Sequence, residues 1–390
     1  MTKLRITFKV NAVVVVLICL LLAIFVDDAC GNSFWVSKSS KPTADAGFEV
    51  AVVDEKIYTI ATEASEVYDV TTDTWSTSKP LPTSKQNFVA VACEGKIYVI
   101  GGTVGSFGYN SETETWESAY TTNSIEVYDP TTDVWETKTA MPSNRSSASA
   151  NVVNGKIYVV GGISDAHWGT LSAINEVYEP ATDTWATKSP PPENVSSTSA
   201  VIDNKIYFIG HKLLIYDTQT NTWSYGKTPP KTAISVVAAS TSGAWAPKRI
   251  YYVGPESTQI YDPQTDSWSE GTPMPTKRYS FALAVVKDKL YAIGGVSELL
   301  NFAVPPVYNN ENEEYTSAEY KTDSIQNSVP STAMSYPTTS SMEPTTGISD
   351  SEENRLFSKY IEVGSIVLGL LAIALAFLIV LHYKKQKQLD

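Results

Sequence analysis

Lys96-Ile97-Tyr98-Val99-Ile100-Gly101-Gly102 begins the stretch that decides the fold, and Ile125-Glu126-Val127-Tyr128, Asp129-Pro130-Thr131-Thr132-Asp133 and Val134-Trp135-Glu136-Thr137 complete it. Short β-branched and aromatic runs separated by turn residues read as strands, here Phe88–Cys93 (a), Lys96–Ile100 (b), Ile125–Tyr128 (c) and Val134–Thr137 (d). The pattern recurs along the chain. A basic residue, Ile or Leu, then Tyr stands at Lys56-Ile57-Tyr58, Lys96-Ile97-Tyr98, Lys156-Ile157-Tyr158, Lys205-Ile206-Tyr207, Arg249-Ile250-Tyr251 and Lys289-Leu290-Tyr291, spaced 40, 60, 49, 44 and 40 residues apart. Downstream, a Tyr and a Trp seven residues apart recur as Tyr68/Trp75, Tyr128/Trp135, Tyr178/Trp185, Tyr216/Trp223 and Tyr261/Trp268. These pairs are expected to form the core of the repeat, with the Trp filling the space between neighbouring units.

A single four-stranded sheet with two apolar faces cannot bury either one alone. Radial stacking buries both and leaves only short edges, so the repeat predicts a β-propeller. The residues also carry a resemblance, since the chain resembles the kelch-repeat proteins over about residues 33–317. Gly101-Gly102, Gly161-Gly162 and Gly294-Gly295 match that family's glycine pair after strand b, ahead of its Tyr and Trp. Ala61-Thr62, Gly210-His211 and Gly254-Pro255 depart from it, which puts the local turns in question. The sixth unit has strands at Phe281–Val286 and Lys289–Ile293, and Asn312-Glu313-Glu314-Tyr315 reads as strand c, but Thr322 stands where its Trp belongs. Trp35 lies 40 residues before Trp75, so the N-terminal segment is expected to supply the missing strand d and close the ring. A second possibility takes Val307-Tyr308 as strand c with Tyr315 in the Trp position. The expected fold is thus all-β, a six-bladed kelch-type propeller over residues 32–317.

In antiparallel blades the b–c and d–a loops share one face. On that face the loop Thr103–Ser124 carries Phe107, Tyr109, Trp116 and Tyr120, the loop Ile163–Ile174 carries Asp165, His167 and Trp168, and Val296–Glu311 carries Leu299, Leu300, Phe302 and Tyr308. Aromatics on raised loops suit recognition of a protein or a sugar, and they suit equally well a cap that only packs on its neighbours. Twelve residues before the Ile or Leu of strand b stand Asp45, Lys85, Arg145, Asn194 and Arg278. The family resemblance implies an arginine near the rim there, matched by Arg145 and Arg278 and in charge by Lys85, which would grip a carboxylate. The candidate ligand contacts are therefore Lys85, Tyr109, Trp116, Tyr120, Arg145, Trp168 and Arg278, with Trp245 marking the opposite face as the fallback. Asn144 and Asn194 begin glycosylation sequons, and a glycan on Asn144 would compete with a ligand role for Arg145. The copper site of galactose-oxidase-type propellers needs Tyr and His together, and the body has only His167 and His211. No phosphate loop or nucleophile elbow is present, so no catalytic residue, metal or cofactor is assigned. A binding or adhesion module is the favoured reading, with a carbohydrate-active enzyme (lyase, epimerase or glycosidase) as the alternative.

The chain has a formal charge of −13 with both ends basic, so the acidic body would repel nucleic acid. Three cysteines, Cys19, Cys30 and Cys93, make no disulfide framework. Residues 1–31 combine a basic start with the apolar run Ala12–Val26, and are expected to be a cleaved signal peptide or an N-terminal anchor. Residues 318–360 are read as a stalk, rich in Ser, Thr and Pro at Ser328–Ser351. Val363–Leu381 is charge-free for 19 residues, so a transmembrane helix is expected over 361–381, with the basic tail 382–390 in the cytoplasm. The expectation is a single-pass cell-surface glycoprotein with its propeller outside.

Overall fold

The computed structural model describes residues 33–105, 108–110, 115–164, 169–195, 198–232, 235–298 and 306–321. The expected leader, stalk centre, transmembrane helix and tail, and with them Cys19 and Cys30, lie outside the described residues. Among the described residues no helix is long and apolar enough to cross a membrane.

Everything described is β-structure and connection. Six antiparallel four-stranded sheets follow the repeat, each running a to d from one edge to the other. Sheet one is Glu49–Val53, Lys56–Ile60, Ser65–Asp69 and Thr74–Ser78, and sheet two is Val89–Cys93, Lys96–Ile100, Ile125–Asp129 and Val134–Lys138. Sheet three is Ser149–Val153, Lys156–Val160, Asn175–Glu179 and Thr184–Thr187. Sheet four is Thr198–Ile202, Lys205–Ile209, Leu213–Asp217 and Thr222–Gly226. Sheet five is Val237–Ser240, Ile250–Val253, Thr258–Asp262 and Ser267–Gly271. Sheet six takes Ala282–Val286, Lys289–Ile293 and Asn312–Thr316, and its outer strand is Phe34–Ser37. Trp35 pairs with Tyr315 in the register that joins Trp135 to Tyr128, so the N-terminal strand occupies the place of the absent Trp. The Val307-Tyr308 alternative fails, because Tyr308 bridges Val296 inside the loop instead.

The core lies between sheets. Ile57 and Tyr68 of sheet one pack with Ala284, Val286 and Tyr291 of sheet six, and equivalent clusters join each sheet to the next around the ring. The repeat Tyr and Trp hold the joints together, each pair in one core between sheets, though buried to different degrees. Tyr68, Tyr128, Tyr178, Tyr216 and Tyr261 are buried, whereas Trp75, Trp135, Trp185, Trp223 and Trp268 are only half-buried. The tryptophans stand on strand d, the outermost of each sheet, where one flank of the ring packs on the core and the other meets solvent. They pack against the cores between sheets, as expected, and also act as clasps over the joint. Each indole N–H donates to a backbone carbonyl just beyond the preceding sheet's outer strand. Trp75 reaches Ser39 (2.8 Å), Trp135 reaches Lys79 (3.3 Å) and Trp185 reaches Thr139 (3.0 Å). Trp223 reaches Ser189 (2.9 Å), Trp268 reaches Lys227 (2.6 Å) and Trp35 reaches Thr272 (2.9 Å). The strand-c tyrosine hydroxyl donates to an Asp or Asn five residues on, at 2.6 Å for Tyr178 and Asp183. Asp73, Asp133, Asp183, Asn221 and Asp266 all sit at positive φ, a region that Asp and Asn tolerate better than other side chains. The c–d turn therefore reads as a structural joint.

Candidate recognition face and channel mouth

The d–a and b–c loops come together on one face, as antiparallel connection requires. Lys85-Gln86 pairs with Thr103-Val104, which pairs in turn with Tyr120-Thr121. Isolated bridges repeat this ladder beside two other sheets, as Ser146–Ile163–Leu171 and Tyr279–Val296–Tyr308. Thus three loops rise from sheets two, three and six. Each follows a glycine pair, and the pair explains the rise. A Cβ on Gly161 would stand 1.8 Å from the Val195 carbonyl oxygen, and one on Gly101 2.4 Å from that of Arg145. The second glycine's N–H meets the same carbonyls, Gly162 to Val195 and Gly102 to Arg145, both at 2.9 Å. Sheets one, four and five lack the pair and connect b to c within a few residues. In sheet one the Thr62 hydroxyl reaches the Lys85 carbonyl in place of that N–H.

Large apolar side chains stand exposed on the raised ladders, with Tyr120 58% and Tyr308 51% accessible and Leu171 and Val307 also exposed. The backbones of Tyr109 and Trp116 lie opposite each other in a hairpin of 108–110 with 115–117. Trp168, Phe107, Leu299, Leu300 and Phe302 lie outside the described residues. Asn144 and Asn194 are exposed, as glycan acceptors must be.

The basic candidates are placed otherwise than expected. Arg145 is 1% and Arg278 0% accessible, and Lys85 is buried with them. Each is neutralised within the chain by the glutamate two residues before the strand-c tyrosine. Lys85 lies 2.7 Å from Glu126 and Arg278 lies 3.0 Å from Glu313, and Arg145 is paired with Glu176. Burial pulls all three cations below their ordinary pKa values, and the paired carboxylates oppose the shift. A hydroxyl in the same loop donates to the glutamate's other oxygen, from Thr83 at 2.6 Å, Ser143 at 2.9 Å and Thr276 at 2.8 Å. The carboxylate each arginine grips is therefore its own. With Arg145 inside, a glycan on Asn144 has nothing to shield. In sheet one Lys41 fills this role between Glu66 and Asp45. Sheet four replaces the charged pair by Val195 against Leu214, a register in which Val195, and not Asn194, matches Arg145. Sheet five uses the neutral Gln259, bonded to both the N–H and the carbonyl of Lys231. Sequence reasoning found the cations but missed their partners, although Glu before Val-Tyr in three repeats was the available signal.

Inside this ring of loops lies the mouth of the central channel, a cavity of about 440 Å³ lined by the first residues of all six a strands. Asn87, Ser147, Ser149, Thr198 and Ser199 line one side, and Val236, Val237, Phe281, Ala282 and Leu283 another. Among the described residues lining it, Glu49 is the only ionisable one. Burial raises its carboxyl to about 7. On the opposite face Trp245 stacks on Tyr320, and its carbonyl accepts from the Lys321 N–H at 2.7 Å, so the fallback surface is partly covered by the chain's own exit. Among the described residues no group of three or more His, Cys, Asp or Glu converges as metal ligands. Cys93 is free and buried, its thiol raised to about 11 by burial.

Comparison with known proteins agrees with this geometry. A kelch motif matches residues 85–142 and 144–192. Beta-scruin of Limulus polyphemus is 29% identical over 147 residues, covering 36% of this chain and 15% of its own length. Kelch repeat and BTB domain-containing protein 12 of Danio rerio is 39% identical over 99 residues, covering 24% of this chain and 15% of its own. The chain thus matches under a sixth of the length of these two relatives. Among solved structures, that of YjhT superposes with a TM-score of 0.59 at 14% identity, covering 70% of this chain and 95% of that one, a likeness of fold.

Proposed function

We propose that this kelch-repeat β-propeller is a six-bladed protein-binding module that recognises its partner through the face carrying the b–c and d–a loops. The observation that carries the reading is the set of apolar side chains, Tyr120, Leu171, Val307 and Tyr308, held exposed on three raised ladders of one face. Large exposed apolar groups gathered on one face favour an interaction surface, and tyrosine is enriched among residues that dominate interface energies. The kelch motif that the chain shares with the scruin and BTB-kelch relatives is consistent with a binding module.

Lys85, Arg145 and Arg278 serve this face as fasteners beneath the loops, and the contact surface is the loop aromatics above them. Thr316 ends strand c of sheet six on the a–b/c–d side, where residues 317–321 run beside Trp245. The composition of Val363–Leu381 suits a membrane-spanning helix that would tether this module at a cell surface. Cross-linking of the full chain on cells tests the reading. Tyr120→Asp, Leu171→Asp and Tyr308→Asp together should deplete the cross-linked proteins at least several-fold, whereas Val134→Asp, at the exposed c–d end of strand d in sheet two, should not. An unchanged set of partners in the triple variant overturns the assignment of the face. Loss of glycan-array binding with no change in protein partners would make the ligand a sugar.

A further inference from the structure

We propose that the mouth of the central channel binds an alkylammonium group, with Glu49 as its counter-ion. Among the described residues lining the mouth, Glu49 alone carries a titratable side chain, and those from the other five a strands are Asn, Ser, Thr, Ala, Val, Leu and Phe. Lys41, Lys85, Arg145 and Arg278 in the surrounding d–a loops are each committed to Glu66, Glu126, Glu176 and Glu313, so none is available to Glu49. Ile60, its register partner on strand b, offers no charge either.

Glu49 stands half-buried at the mouth with no cation paired to it, and partial burial makes its carboxyl costlier to ionise and raises it to about 7. A positively charged ligand removes that cost, whereas a neutral or anionic one does not. The remainder of the cavity suits the rest of such a ligand. Around the ring of sheets, Thr198 and Ser199 of sheet four lie opposite Glu49 of sheet one, and hydroxyl oxygens there accept hydrogen bonds from an ammonium. Val236, Val237, Phe281 and Leu283 offer apolar surface to a short alkyl arm. A cavity of about 440 Å³ falls in the range of small-molecule sites. The group arrives either as a free alkylamine or as a lysine side chain on a bound protein. This inference does not depend on the partner reading, because the site is complete within this chain.

Calorimetric titration of the full chain with n-butylammonium, and with n-butanol as the neutral probe of the same shape, tests it. At pH 7 half of the Glu49 population is protonated, so n-butylammonium binding should release about half a proton per site, falling towards none at pH 9. Proton release is read by repeating the titration in buffers of different ionisation enthalpy. The alcohol should bind about tenfold or more weakly, and Glu49→Gln should lose the proton release together with a comparable factor in affinity. Glu49→Asp, which keeps the charge, should retain the release. An Nα-acetylated, amidated pentapeptide Gly-Gly-Lys-Gly-Gly that binds more tightly than n-butylammonium assigns the group to a protein lysine, and one that binds more weakly assigns it to a free amine. Equal affinity for the amine and the alcohol, no binding of either ammonium probe, or undiminished proton release in Glu49→Gln overturns the proposal.

Discussion

Two residues before each strand-c tyrosine stand Glu66, Glu126, Glu176, Leu214, Gln259 and Glu313, and this one position shows how a repeat tolerates change. Four glutamates hold a buried cation, the leucine packs on a valine, and the glutamine bonds a backbone. Taking one member from a buried pair leaves the other charge uncompensated, so Arg145→Ala or Glu176→Ala should each cost about 3–5 kcal/mol by chemical denaturation. The double change Arg145→Val with Glu176→Leu copies Val195 and Leu214, and should cost less than either single one. Glu49 obeys a different sign. Its carboxyl is raised from the ordinary 4.5 to about 7, so between those values the folded state binds more protons than the unfolded one. Glu49 therefore weakens the fold as pH climbs from about 4.5 to about 7, and its effect is level above that. Melting temperatures should show Glu49→Gln gaining on the parent between pH 5 and pH 8, and a difference that does not vary with pH would contradict the raised Glu49 carboxyl.

Between elements, the loops are decided by what the strand-b ends can approach. Gly161 at φ +69° lets the chain pass against the Val195 carbonyl, where a methyl group would stand 1.8 Å from the oxygen. Gly95 at φ +76° has nothing within 4 Å of the same added atom. Gly95→Ala should thus cost only the left-handed backbone term, about 1–2 kcal/mol, while Gly161→Ala costs clearly more because backbone must move. Denaturant midpoints of the two variants measure the difference. The same comparison explains why the departures at Ala61-Thr62, Gly210-His211 and Gly254-Pro255 coincide with the low loops. Without the glycine pair the chain turns straight back into strand c, and the face acquires its raised and low sides.

For the whole molecule, closure rests on Phe34–Ser37. This strand pairs with Asn312–Thr316, Trp35 lies 5.1 Å from the Tyr315 ring, and Trp75 of sheet one is tied to Ser39 just beyond it. Deleting residues 33–40 exposes a strand edge and unfastens two sheets at once, so the truncated chain should aggregate and melt lower in light scattering with thermal denaturation. Protease applied to intact cells expressing the full chain should release the propeller by cutting within Ser328–Ser351, and protection there would reverse the topology drawn from composition. The sequence by itself determined the repeat, the strands to within a residue, the closing role of Trp35 and the face on which the loops gather. Those follow from local rules, since alternation, turn residues and antiparallel connection are all written in short windows. Only the tertiary structure decided that Lys85, Arg145 and Arg278 point inward, and that Trp185, Trp223 and Trp268 keep one flank in solvent while their tyrosine partners are enclosed. The partners Glu126, Glu176 and Glu313 lie some 30 to 40 residues beyond their cations, and a charge shows no sign of its own burial until a distant strand is laid beside it. Glu49 was hidden for the same reason, because its isolation is a property of six strand ends that meet only when the ring closes.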